Sequence, residues 1–243
     1  MANHALLNSI EHKDLKVITT RSAELGDNIW YAQTFFQEYR AVQAHYPILF
    51  QKNPETGKFL SIALFGFKHE ENLFLENGKW TASYIPIAVK RMPFYIGFQN
   101  TEVDGTPEKQ RVLTIDLDSP RVNTTEGTEL FMPYGGNSEY LDTMANALEA
   151  LHHGLAEDET FIEALTQCEL LESVNITVTL QDGSENQLMG FYTINEDKLN
   201  NLSQDIIARL HQAGYLQAIH MILASQANIQ TLVDKKSKLS AAE

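Results

Sequence analysis

Val174-Asn175-Ile176-Thr177-Val178-Thr179-Leu180, followed by Gln181-Asp182-Gly183, is the stretch on which the fold class turns. Its apolar residues alternate, so it reads as a strand with the even positions turned inward. Beyond the glycine, Leu188, Tyr192 and Ile194 again fall on even positions. Opposed residues of an antiparallel pair share a face, so even must meet even and the loop must hold an odd number of residues. The three residues Gln181-Asp182-Gly183, with Gly183 left-handed, meet that condition and set Ile176 opposite Leu188. A two-residue Asp-Gly turn would set Val178 against Gln187 and is disfavoured.

Helical spacing surrounds this hairpin. Ser138 is placed to cap a helix whose Leu141, Met144, Ala145, Leu148 and Leu151 share one face, with Gly154 as its stop. A second helix is predicted from Glu157 to about Cys168, with Glu157, Asp158 and Glu159 at its positive dipole end. Ser203 caps another that Gly214 ends. Tyr215, Leu216, Ile219, Ile222, Leu223, Ile229 and Leu232 then mark one long amphipathic helix.

Upstream, short apolar runs such as Pro47 to Phe50, Leu60 to Phe65, Phe94 to Phe98 and Val112 to Leu117 alternate with turn chemistry. One helix, Phe35 to Ala44, interrupts them. The expected class is α+β: a β-rich N-terminal half with mainly antiparallel strands, residues 1–131, and a helix-rich C-terminal half containing a β-hairpin, residues 132–243. Residues 122–137 are the expected junction.

The chain has 243 residues, 43% of them hydrophobic and 21% charged, so it carries enough apolar surface for a sizeable core. With 18 Lys+Arg against 32 Asp+Glu its net charge is −14, which argues against nucleic acid as partner. Cys168 is the single cysteine, so neither an intrachain disulfide nor a multi-cysteine zinc site is available. No basic segment leads into an apolar run at the start, and no apolar stretch suits a transmembrane segment; the expected location is cytoplasmic, with non-Sec export open.

The acids are unevenly spread along the sequence. Residues 1–122 hold 13 Lys+Arg and 14 Asp+Glu, residues 123–243 hold 5 and 18. Between Arg121 and Lys198 stand 15 acids and no Lys or Arg. Such a field favours a basic protein segment, a peptide or divalent cations, or it serves solubility alone.

Motifs for chemistry are sparse. Asp116 and Asp118 would share a face of an extended strand, as a metal ligand pair or as nucleophile and general acid. The structural alternative makes them turn caps before Pro120, with Asp116 paired to Arg111 or Arg121. His12 and Asp14, two apart, could orient each other. His69-Glu70-Glu71-Asn72-Leu73 has Leu73 where the zinc-protease helix needs its second His, so no metal site is expected. No cofactor fingerprint stands out, since Gly135-Gly136-Asn137-Ser138 lacks both the phosphate-loop lysine and the three-glycine spacing. Trp30, Tyr46, Trp80 and Tyr84, from two aromatic groups, are candidates to line a ligand groove together with Arg121, or else to form core.

At His12-Lys13-Asp14-Leu15, Ala44-His45-Tyr46-Pro47-Ile48, Ala63-Leu64-Phe65-Gly66-Phe67, Tyr84-Ile85-Pro86, Gly190-Phe191-Tyr192 and Ala213-Gly214-Tyr215-Leu216-Gln217-Ala218, the chain resembles the bacterial SapC family. Ile115-Asp116-Leu117-Asp118-Ser119-Pro120-Arg121 is the most specific segment of that resemblance. The resemblance implies a single unit over 1–243 and an association with bacterial surface layers. Relatives look like neighbours of flavin-dependent halogenases, cupin-like oxygenases and outer-membrane receptors. It carries over no catalytic residue.

The leading expectation is a non-catalytic accessory or binding protein of surface-layer or envelope-uptake systems, holding a basic protein segment or peptide. The alternative is an enzyme or enzyme subunit acting on a peptide or small molecule through Asp116, Asp118, His12 and Asp14. A self-assembling homo-oligomer is the third reading.

Overall fold

The computed structural model describes residues 3–103, 106–179 and 185–240. In chain order the first strands are β1 (His4–Leu6), β2 (Lys16–Val17), β3 (Tyr31–Gln33), β4 (Ile48–Lys52) and β5 (Phe59–Leu64). Then come β6 (Leu75–Glu76), β7 (Lys79–Trp80), β8 (Phe94–Val103), β9 (Thr106–Asp116), β10 (Val122–Asn123) and β11 (Thr128–Glu129). The last pair is β12 (Leu171–Thr179) and β13 (Glu185–Ile194). The helices are α1 (Tyr39–Val42), α2 (Ile87–Lys90), α3 (Glu139–Gln167), α4 (Glu196–Asn200), α5 (Gln204–Gln212), α6 (Tyr215–Ser225) and α7 (Asn228–Ser240). The class is α+β, antiparallel strands dominating the first half and helices the second.

The chain divides into two compact units, each assembled from two segments: Met1–Asp27 with Ile87–His152, and Asn28–Pro86 with His153–Glu243. This interleaving redistributes charge. The first unit holds 8 Lys+Arg against 14 Asp+Glu and the second 10 against 18, so both are acidic. The asymmetry along the sequence is therefore not an asymmetry between the units, because the neutral stretch 28–86 folds with the acidic stretch after 153.

In the first unit β1-β9-β8 form one sheet, and β10 and β11 flank β2 in another. The segment expected as a junction thus folds inside this unit. Val17, Phe94, Ile115, Leu130, Leu141, Met144 and Leu148 make its core. The helix face read from the sequence is the one buried. Ser138 caps α3, its hydroxyl oxygen accepting from the Leu141 N–H at 3.2 Å while donating to the Glu129 carbonyl at 2.7 Å.

In the second unit the sheet order is β12-β13-β4-β5-β3, antiparallel throughout. Ile176 pairs with Leu188, as the parity of the apolar positions required. The loop Gln181-Asp182-Gly183 itself lies outside the described residues. On β13 the parity does not persist. The register slips between Val174 and Ile176 so that Val174 faces Phe191, Gly190 stands at φ +83°, and Phe191 rather than Tyr192 is buried. An extra residue on one strand breaks the alternation at Phe191, which period-two reading cannot anticipate, while Ile194 is buried as read.

Three further expectations are corrected. Phe35 to Ala44 gives only a 3₁₀ turn, Phe36–Glu38, and the short α1. Gly154 does not end a helix: α3 runs on to Gln167. A Cβ on Gly154 would lie 2.2 Å from Cδ2 of Phe35, so glycine is there to admit an aromatic ring. Glu157, Asp158 and Glu159 are consequently mid-helix and complement no dipole.

The long C-terminal helix is two, α6 and α7. The Ile48 N–H donates to Ser225 Oγ at 2.8 Å, the Gln226 amide donates to the Ile48 carbonyl at 2.8 Å, and the Asn228 amide donates to the Gln43 carbonyl at 2.8 Å. Side chains tied to the start of β4 and to Gln43 end α6 there, with Ile219, Ile222 and Leu232 still fully buried. The breaks at Ser203 and Gly214 fall where the sequence placed them, Gly214 at φ +76°.

Candidate functional site

The four catalytic candidates lie in the first unit, and the hydrogen bond that joins two of them runs from the Asp118 backbone N–H to the Asp116 carboxylate. Asp116 Oδ1 accepts from the backbone N–H groups of Asn3 at 3.1 Å and Asp118 at 3.2 Å, which makes it the cap of the turn ahead of Pro120. His12 is 9% exposed, and its Nδ1 accepts from the Asn8 N–H at 3.2 Å within a turn that the Asn8 side chain organises. Asp14 and Asp118 are exposed. Among the described residues no three His, Cys, Asp or Glu side chains are grouped as a metal ion would require.

Neither arginine expected opposite Asp116 is there. Arg111 pairs with Glu149 at 3.3 Å. Arg121, a ligand candidate from sequence, is 2% exposed and spends its guanidinium inside the fold. It meets the Asp27 carboxylate at 2.5 Å and donates to the carbonyls of Ile18 at 3.0 Å and Thr20 at 2.8 Å. Arg21 adds a second cation to Asp27 at 3.1 Å. Burial pushes the Arg121 pKa down, with Asp27 opposing that trend and Arg21 reinforcing it. This is a structural clamp that ties residues 18–27 to the turn after β9.

The aromatic candidates belong to the second unit, Tyr46 in its core and Trp30, Trp80 and Tyr84 half-buried. Tyr46 is fully buried, its ring edge-on to Phe74 at 4.7 Å and Phe65 at 5.1 Å. Its hydroxyl donates to the Tyr84 carbonyl and accepts from the Trp80 indole N–H at 2.7 Å. The Tyr84 hydroxyl donates to Glu38 at 2.7 Å, and Thr34 donates to the same buried carboxylate at 2.7 Å. Burial raises both tyrosine pKa values, so the phenols stay protonated donors. Trp30 is half-buried against Tyr31 and Phe191. The polar tips of Tyr46, Trp80 and Tyr84 thus find partners within this group and Glu38.

Three features that the sequence did not single out are better placed. Asp158 is 2% exposed on α3 and accepts from the Tyr39 hydroxyl at 2.9 Å, with Ser61 Oγ 2.5 Å from that hydroxyl. Burial pushes its pKa up to about 7, against the lowering pull of the Ser61, Tyr39 and Phe36 hydrogen bonds. Only its place in an acidic triplet hinted at it, and that hint pointed to the surface.

The second feature is a pair of cavities beside the last turns of α3, both touching Gln167. One, of about 370 Å³, lies against β4 and β5 and is lined by Lys52, Phe59, Ile162, Glu163 and the Lys58–Glu159 ion pair. The other, of about 430 Å³, lies against α5 and the start of α6. Cys168 is half-buried on its wall.

The third is the edge of the five-stranded sheet. β12 is nine residues long, and its outer side has no strand partner among the described residues. Ser173, Asn175 and Thr177 are exposed along it while Val174 and Ile176 turn partly inward. The bulge's extra residue lies on β13, not on β12. β12 contains neither Lys nor Pro, the residues that usually blunt such an edge.

An acidic α+β protein with an edge strand lacking a strand partner on its outer side, and with no metal-type cluster among its described residues, is the class that these observations define. The SapC family model matches residues 7–232, and the chain belongs to that family. No curated protein and no solved structure matches it. Among the described residues no helix is long and apolar enough to cross a membrane.

Proposed function

We propose that this SapC-family chain is a non-catalytic accessory protein of surface-layer or envelope-uptake systems that holds a basic, extended segment of a partner protein. The open outer edge of β12 is the observation that carries this reading. An unpaired edge offers a row of backbone donors and acceptors that an incoming strand completes, while side chains at alternate positions set its preference. Charge selects the sign of the partner. β12 lies in the stretch from Arg121 to Lys198 that holds 15 acids and no Lys or Arg, and its own unit has 18 acids to 10 bases. A lysine- or arginine-bearing strand is attracted; an acidic one is repelled.

The test uses the full chain and two nine-residue probes that alternate valine with lysine or with glutamate. Fluorescence anisotropy should show binding of the lysine peptide alone, weakened at least tenfold between 50 and 500 mM salt, as expected for about two or three screened charge contacts. Replacing exposed Ser173 and Asn175 together by lysine should abolish it. Binding that is indifferent to salt, or to those two substitutions, sinks the reading.

A further inference from the structure

We infer that the cavity bounded by the end of α3, α5 and the start of α6 binds a small amphipathic monocarboxylate, its carboxylate on Arg209 and its apolar body against Leu210, Ile206 and Ala164. The inference goes beyond the β12 reading and shares no residue with it.

Space comes first. The cavity is about 430 Å³ and owes its room to small residues on facing helices, Ala164 on α3 and Ala213 at the end of α5. Pockets that hold small molecules start at about 300 Å³ and combine apolar walls with a few polar groups. Here the apolar lining residues are alanine, isoleucine and leucine, and the polar ones are Gln167, Arg209 and Tyr215.

Charge comes second. Arg209 is the single formally charged residue on the cavity wall. Its unit is rich in acids, and Lys198, Lys235 and Lys236 each hold a carboxylate. Arg209 has no ion pair among the described residues, although Asp205 stands one helical turn before it. A guanidinium next to an apolar wall is suited to a carboxylate, which it takes through two parallel N–H donors.

Competing acceptors are few. The carbonyls of the last α3 turn that could otherwise claim the guanidinium are already occupied: Ala164 accepts from the Cys168 N–H, Leu165 from Leu170 and Thr166 from Glu169. One monocation rather than two favours a monoanion over phosphate, since the net negative unit raises the cost of a second charge.

Isothermal titration of the full chain with 4-phenylbutyrate tests this, with 4-phenylbutanol and inorganic phosphate as the uncharged and phosphate arms. Saturable 1:1 binding of 4-phenylbutyrate is expected, at least tenfold tighter than the alcohol and unaffected by phosphate. Arg209→Gln, at an exposed position, should weaken it at least tenfold and leave the melting temperature unchanged. Ala164→Met should weaken it by filling the space. Cys168, the chain's single thiol, gives an independent readout: 4-phenylbutyrate should slow its reaction with a disulfide reagent in the parent and not in Arg209→Gln. Absence of saturable binding, equal affinity for the alcohol, displacement by phosphate, or unchanged affinity in Arg209→Gln would each overturn the inference. None of these outcomes touches the β12 edge, so the two proposals fail separately.

Discussion

The Asp158 carboxylate accepts a 2.9 Å hydrogen bond from the Tyr39 hydroxyl, and both side chains are sealed from solvent, at 2% and 0% exposure. An acid in the middle of a helix has thus become part of the core. Its environment favours the protonated form, because burial penalises the charge more than the hydrogen bonds to Tyr39 and Ser61 relieve it.

A pH dependence follows from that relationship. The folded pKa is about 7 against 3.8 for a free carboxyl, so the fold binds the proton more tightly than the unfolded chain. The stabilising contribution is full below about pH 4 and is lost as pH rises through 7. Asp158→Asn removes this contribution's pH dependence. Between pH 5 and 8 the parent should lose about 3 kcal/mol of stability relative to Asp158→Asn, about two pKa units at about 1.4 kcal/mol each, read as a falling melting temperature. Parallel curves for the two proteins would refute it.

Gly154→Ala should destabilise, against the usual helical preference for alanine. Alanine gains about 1 kcal/mol in helix propensity. The added Cβ would sit 2.2 Å from Cδ2 of Phe35, and forcing a methyl into a packed core costs about 1–3 kcal/mol. Because the clash is with a ring atom, Phe35→Leu should recover part of the loss caused by Gly154→Ala. Urea denaturation of the two single variants and the double variant measures that coupling.

Arg121→Met should cost about 3 kcal/mol, since it strips a partner from a buried carboxylate and leaves the Ile18 and Thr20 carbonyls without their donor. Arg121→Lys should recover little, because one ammonium cannot serve two carbonyls and a carboxylate in the same fork. Equal stability of the lysine variant and the parent would show that charge alone matters.

Ser225→Ala should cost about 1–3 kcal/mol by leaving the Ile48 N–H without an acceptor in a dry core. Hydrogen exchange at the Ile48 amide should quicken in this variant, and Ser225→Thr, which keeps an oxygen, should fall between it and the parent. Unchanged exchange at Ile48 would remove the role assigned to the hydroxyl.

What the sequence determined alone is what near neighbours determine. The pairing of Ile176 with Leu188 follows from parity, the caps at Ser138 and Ser203 from a hydroxyl three residues ahead of an orphan N–H, and the break at Gly214 from its left-handed backbone. These depend on spacing within one or two turns of chain, which a linear text records.

Tertiary structure decided everything that rests on distant partners. Arg121 reaches Asp27 over 94 positions, Tyr39 reaches Asp158 over 119 and Ser225 reaches Ile48 over 177. No local pattern marks such pairs: the same Gly154 reads as a helix stop until Phe35 is set against it, and the same Asp158 reads as a surface acid until Tyr39 covers it. A residue's type fixes what it can bond to, while the free energy of its surroundings decides which partner it meets. Arg209 beside its cavity and the unpaired side of β12 emerged only when the chain had folded, since a space is defined by what surrounds it.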